Sequence, residues 1–172
     1  MSRQPKLLIT QGRINEAITK LAAEIRRDYR GKQPFLIGIL KGSFVFMADL
    51  VRELGLPVEV DFVKLSSYGA GTRTSGKVKV VHGLKSPIKS RDVLIVEDIV
   101  DTGLTVSFLM SYLQKKKPAS LKLCALVDKL SQHKVPVTID YLGFTVPDKF
   151  VVGYGIDWNE KFRHLRDICI ID

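Results

Sequence analysis

The residues best suited to chemistry lie in one run, Val93-Leu94-Ile95-Val96-Glu97-Asp98-Ile99-Val100-Asp101-Thr102-Gly103-Leu104-Thr105. An apolar stretch short enough for a buried strand ends in two adjacent carboxylates, Glu97 and Asp98. Unpaired carboxylates at the end of a sheet are costly unless something binds them. Ribose hydroxyls and a divalent cation are natural partners, because carboxylates accept from hydroxyls and suit hard ions. Asp101 to Thr105 then run into the expected start of a helix. Gly103 permits close backbone approach, the threonine hydroxyls and main-chain N–H groups act as donors, and the helix dipole favours an anion. The segment reads as a phosphate cradle beside a ribose clamp, with an acidic N-cap on a purely structural helix as the plain alternative. Asp101-Thr102-Gly103 is also the aspartic-protease triplet, but that chemistry needs two such aspartates on an all-β fold, and here a helix follows.

The elements that must position these groups alternate along the chain. Ile14, Ala17, Ile18, Leu21 and Ile25 recur at helical spacing, with Gly31 as a stop. Phe35 to Leu40 is a short apolar run, as in a strand buried on both faces. A Lys41-Gly42-Ser43 turn leads into an apolar helix from Phe44 to Leu54, closed by Gly55 and Pro57. Val58 to Val63 alternates like a strand, and Ser66 to Gly76 holds only small and polar residues apart from Tyr68. Strands are predicted over Val78–Val81, Val93–Val96, Leu121–Val127, Val137–Phe144 and Phe150–Val152, and a helix over Val106–Leu113 that ends at Lys115-Lys116-Lys117-Pro118. This order predicts an α/β chain forming a single domain over residues 1–172, with a largely parallel central sheet flanked by helices. In such sheets ligands bind beyond the carboxyl ends of the strands, which points to the segments after Leu40, Val63, Val96, Val127 and Val152.

At 172 residues, 45% apolar and 26% charged, the composition suits one globular core and excludes disorder, collagen-like repeats and coiled coil. Apolar runs fall far short of the roughly 20 residues that cross a bilayer, and no secretory pattern opens the chain. The expectation is a soluble, cytoplasmic protein with no membrane partner. Cys124 and Cys169 form no disulfide framework and no metal-ligand spacing, so both are expected reduced and packed. The formal charge is +9. Between Asp61 and Asp92 there is no acid, while Lys64, Arg73, Lys77, Lys79, Lys85, Lys89 and Arg91 all fall there. Such a balance attracts polyanions without choosing among nucleic acid, anionic lipid and phosphorylated metabolites.

The thirteen-residue run resembles the signature of type I phosphoribosyltransferases, and further segments resemble their hypoxanthine-guanine branch over nearly the whole chain. That resemblance implies the family's fold, with a small base-binding hood formed by the terminal segments. It implies a magnesium-dependent transfer of the 5-phosphoribosyl group from 5-phosphoribosyl-1-pyrophosphate to N9 of hypoxanthine or guanine, giving IMP or GMP plus pyrophosphate. Glu97 and Asp98 would then bind ribose and metal, and Asp101, Thr102, Gly103, Leu104 and Thr105 the 5′-phosphate, with Asp101 also the general base. Leu40-Lys41-Gly42-Ser43 resembles the pyrophosphate loop, where the peptide before the lysine is often cis. Lys41, Gly42 and Arg163 would hold pyrophosphate, and Ser67 and Tyr68 would belong to a mobile lid.

Lys129 would donate to the purine 6-oxygen, Phe150 would stack on the base, and Val151 would offer main-chain groups to its edge. Taken singly, Lys129 also reads as a solvated turn residue and Phe150 as core. By the same resemblance Asp157 would take part in purine binding and bind a magnesium ion on the pyrophosphate side, and Glu97, Asp98 and Asp157 are the expected metal ligands. A homodimer or homotetramer is implied. Ser43 stands where many relatives have glycine, and Trp158 where tyrosine is common. A xanthine-preferring enzyme and an RNA-binding regulator on the same fold are the competing readings.

Overall fold

The computed structural model describes residues 4–68 and 77–171. Its elements are β1 (Lys6–Ile9), α1 (Gln11–Asp28), β2 (Phe35–Leu40), α2 (Phe44–Leu54), β3 (Glu59–Tyr68), β4 (Lys77–His82), β5 (Asp92–Val100), α3 (Leu104–Gln114), β6 (Ser120–Asp128), β7 (Tyr141–Thr145), β8 (Phe150–Val152) and β9 (Ile168–Ile171). Six strands form one sheet in the order β4-β3-β2-β5-β6-β7, parallel except for the β3–β4 pair. Alternation along each central strand divides the side chains between two layers. Leu36, Leu94, Val96, Cys124 and Leu126 face α1 and α2, while Ile37, Val93, Ile95, Leu123 and Ala125 share a core with Leu109 and Leu113 of α3. The buried face of α1 is the expected series Ile14, Ile18, Leu21 and Ile25, and its start is capped by Thr10, whose hydroxyl accepts from the Arg13 N–H.

A second, antiparallel sheet in the order β1-β9-β8 joins the two terminal segments, as the hood expectation required. Its small core is Val152, Cys169 and Ile171 with Trp158, Phe162 and Leu165 against them. Neither β1 nor β9 is among the predicted strands. Four residues carry too little alternation to be read locally, and each becomes a strand through pairing with distant chain. The predicted strand over Val137–Phe144 is also corrected, since β7 spans Tyr141–Thr145. Pro136 precedes the early part, and Asp140 is already bound to Leu123, accepting from its N–H at the carboxylate and donating its own N–H to the Leu123 carbonyl. Among the described residues no helix is long and apolar enough to cross a membrane. Both cysteines are free and buried.

Candidate active site

β2 and β5 are neighbours, yet the chain leaves β2 toward β3 on one side and continues from β5 toward β6 on the other. A crevice therefore opens at the carboxyl ends of this pair, where the loops diverge. The Leu40–Lys41 peptide is cis. Gly42 follows, and a Cβ added there would lie 1.9 Å from Asp98 Oδ2, so only hydrogen fits between the loop and that carboxylate. From the other side Gly155, with φ +95°, presses on Gly42, since its own Cβ would lie 2.5 Å from the Gly42 carbonyl oxygen. Ser43 needs no glycine freedom, because its backbone is helical at φ −72° and ψ −9°. Its buried hydroxyl donates to the Ile39 carbonyl at 2.7 Å.

β5 continues past the apolar run through the acid pair, so Glu97 and Asp98 are only 7% and 5% exposed. Burial, then the neighbouring Asp98 carboxyl, pushes Glu97 well above the ordinary carboxylate range. Asp98 is raised by burial, opposed by the Glu97 carboxyl, two backbone N–H groups and the positive charge of Arg163. Glu97 Oε2 is buried without a hydrogen-bond partner. Two hard oxygen donors with one left unsatisfied suit a divalent cation or sugar hydroxyls. Among the described residues no three His, Cys, Asp or Glu side chains cluster as a metal cage, and Asp157 does not join this pair.

Residues 101–105 curl from β5 into α3. Gly103 sits at φ +79°, and a Cβ there would be 2.6 Å from Val137 Cγ2. The Thr102 hydroxyl accepts from the Leu104 N–H at 3.4 Å. Glu97, Asp101, Thr102, Gly103 and Thr105 line a hollow of about 120 Å³ at this turn. The helix continuing behind Asp101-Thr102-Gly103, in a parallel sheet, removes the protease reading.

Lys129 lies at the end of β6, 7% exposed, with its N–H donating to the Val100 carbonyl at 2.9 Å. Its ammonium is 3.6 Å from Asp101 Oδ2 and 5.7 Å from the centre of the Phe150 ring. Phe150 is 56% exposed, an open aromatic face and not core, while Val151 is buried beside it. Asp101, Thr102, Lys129 and Phe150 line a common cavity of about 460 Å³. Behind it the buried Asp128 carboxylate meets His133 Nε2 at 2.7 Å, and the Lys134 N–H donates to the Thr102 carbonyl. The turn of residues 101–105 and the turn carrying Lys129 are thus tied together. His133 carries no role in the sequence reading, and its pairing with Asp128 is seen only in the structure.

Opposite, Arg163 donates from Nη1 to the Gly155 carbonyl at 2.7 Å and pairs through Nη2 with Asp157 at 2.8 Å. Lys41 Nζ reaches Glu160 Oε1 at 2.8 Å, and Arg163 Nη2 lies 3.2 Å from Glu160 Oε2. Lys41 first, then Arg163, holds the Glu160 carboxyl below its usual range. Glu160 and Gly155 carry no role in the sequence reading. Their signal, an acid spaced three residues from both Asp157 and Arg163 and a glycine in the same run, is visible only once the partners are known. The backbone of Ser67 and Tyr68 ends β3, paired with Val78 and Lys77 of β4. Their side chains and the rest of the expected lid, residues 69–76, lie outside the described residues.

Residues 9–159 match the family model described as the phosphoribosyl transferase domain. The sequence is 44% identical over 168 residues to the hypoxanthine-guanine phosphoribosyltransferase of Aquifex aeolicus, covering 97% of this chain and 94% of that one. It is 43% identical over 166 residues to the bifunctional protein TilS/HprT of Listeria innocua, covering 96% of this chain and 26% of that one. The chain thus spans about a quarter of the length of the bifunctional relatives it matches. A crystal structure of a hypoxanthine-guanine phosphoribosyltransferase from Bacillus anthracis is similar at a TM-score of 0.91 and 42% identity, covering 99% of this chain and 98% of that one.

Proposed function

This chain belongs to the phosphoribosyl transferase family, and on that premise we propose that it acts in purine salvage, transferring the 5-phosphoribosyl group from 5-phosphoribosyl-1-pyrophosphate to N9 of hypoxanthine or guanine. The products are IMP or GMP and pyrophosphate. The observation that carries this reading is the buried Lys129 ammonium standing between the Asp101 carboxylate and the open face of Phe150. A cation there accepts a 6-oxo purine and rejects a 6-amino one, which offers donors in place of an acceptor. Residues 1–172 act as one domain in the cytoplasm, assembled as a homodimer or homotetramer.

In the reaction the N9 lone pair forms the bond to the anomeric carbon as the bond to the diphosphate oxygen breaks, and that electron pair leaves with the diphosphate. Asp101 takes the N7 proton as N9 attacks. Phe150 orients the base by stacking, with Val151 and Asp157 toward its edge. Thr102, Gly103, Leu104 and Thr105 hold the 5′-phosphate at the start of α3. Lys41, Gly42 and Arg163 receive the leaving diphosphate, and Glu97 and Asp98, when ionised, favour the electron-poor ribose. The oxygens of Glu97 and Asp98, with Asp157 toward the diphosphate, fit magnesium, which supplies neutralisation of the diphosphate charge when bound. Ser67 and Tyr68 would belong to a lid that excludes water.

The test is nucleotide formation followed by ultraviolet absorbance, with hypoxanthine, guanine, xanthine, adenine and uracil offered separately. Turnover of the first two is expected, lost with chelator and reduced about 10²- to 10⁴-fold by Asp101→Asn. Dominant turnover of xanthine would move the base specificity. No turnover with any base would overturn the enzyme reading, and salt-dependent RNA binding would then be measured instead.

A further inference from the structure

We propose that Glu160 is a positioning residue that competes for the diphosphate subsite. Without ligand its carboxylate takes the place of the diphosphate on Lys41 and Arg163, and it yields that place when the diphosphate arrives. The inference rests on the reading above that Lys41 and Arg163 bind the diphosphate.

Three observations support it. One carboxylate bridges two cations from distant segments, with Lys41 Nζ at 2.8 Å from Oε1 and Arg163 Nη2 at 3.2 Å from Oε2. Arg163 is already held by Asp157 and by the Gly155 carbonyl, so Glu160 is not required to fix it. The third is the backbone. Trp158 and Lys161 close a two-residue hairpin by exchanging N–H to carbonyl bonds of 3.2 and 3.0 Å, and its centre is Asn159 at φ +50° and Glu160 at φ +60°. A turn with left-handed backbone at both central positions favours Asn-Gly. Glutamate there is disfavoured by the backbone; its N–H donates to Asp157 Oδ2 at 2.8 Å, and its side chain reaches Lys41 and Arg163.

Charge favours the exchange. The Glu160 side chain is 64% exposed and that of Lys41 is 52%, so the pair is weak, and leaving it opens no cavity. A diphosphate brings several negative charges against one and has more oxygens to share between the same two cations. Glu160 therefore raises the concentration of 5-phosphoribosyl-1-pyrophosphate needed for binding and, by the same competition, helps pyrophosphate to leave. It acts through Lys41 and Arg163 and touches neither base nor ribose in this reading.

The test compares Glu160→Gln and Glu160→Gly with the parent. The second keeps the turn, since glycine adopts its backbone freely. Both should lower the KM for 5-phosphoribosyl-1-pyrophosphate and the inhibition constant of pyrophosphate by about two- to fivefold, the size of an exposed ion pair, with the KM for hypoxanthine unchanged. Calorimetric titration of pyrophosphate into the protein should show the same tightening. Unchanged or raised constants in both variants would overturn the proposal. Lys41→Met separates the two levels. It should weaken pyrophosphate binding, and if it leaves binding unchanged, the diphosphate assignment of Lys41 fails and the role of Glu160 fails with it.

Discussion

Replacing Gly42 by alanine inserts a methyl group where the loop after β2 meets the buried Asp98 carboxylate. The new Cβ would lie 1.9 Å from Oδ2, 2.5 Å from Cγ and 2.8 Å from Oδ1. Ordinary contact begins at about 3.5 Å, so either the loop or the carboxylate must give way by more than an ångström. The loop cannot easily retreat, because Gly155 already presses on the Gly42 carbonyl. Asp98 is itself only 5% exposed, with little room to move aside. Overpacking of this kind costs about 1–3 kcal/mol. For a chain of this size each kcal/mol moves Tm by about 2–4 °C, so Gly42→Ala should lower Tm by about 2–12 °C. A displacement of about 1 Å in a positioning group costs about 10²-fold in rate, and kcat/KM should fall by that order. The assay is steady-state nucleotide formation alongside calorimetric melting. Gly12→Ala is the control: it lies near the exposed start of α1, where an added Cβ meets only Thr10 Oγ1 at 4.0 Å. It should change stability by less than about 1 kcal/mol, the bound set by a helix-interior position, with activity unchanged. If Gly42→Ala keeps activity within threefold of the parent at an unchanged Tm, the steric reasoning is wrong.

Lys129→Gln should reduce kcat/KM for hypoxanthine by about 10- to 150-fold, the loss of one charged hydrogen bond, and narrow the preference over adenine. An unchanged hypoxanthine-to-adenine ratio would remove Lys129 from base recognition. Glu97→Gln should stabilise the chelator-treated protein at neutral pH. The folded carboxyl is raised well above 4.5 by burial and then by Asp98, so folding takes up a proton, and stability declines as pH rises above about 4.5 toward the folded value. Melting curves across that window should show the decline in the parent and its loss in the variant; equal slopes would count against a raised Glu97.

The sequence by itself determined what lies close together along the chain. Apolar spacing in Ile14 to Ile25, the double-sided runs at Phe35–Leu40 and Val93–Val96, and the acid pair followed by Asp101 to Thr105 encode local backbone preference and local chemistry, and the structure realises them as α1, β2, β5 and the turn into α3. β1 and β9 were not legible, because four-residue segments become strands only by pairing with one another and with β8. The early part of the Val137–Phe144 run was misread for a related reason, since Asp140 is bound to Leu123 on a neighbouring strand. The site divides in the same way. Its residue types could be read as phosphate, ribose and base partners, but not the contacts of Gly42 with Asp98, Gly155 with Gly42, Asp128 with His133, or Glu160 with Lys41 and Arg163. Those depend on the order β3-β2-β5-β6 and on the terminal sheet. Local spacing biases the backbone a few residues at a time, whereas the distance between two loops more than a hundred residues apart is set only when packed layers bring their strand ends to one crevice.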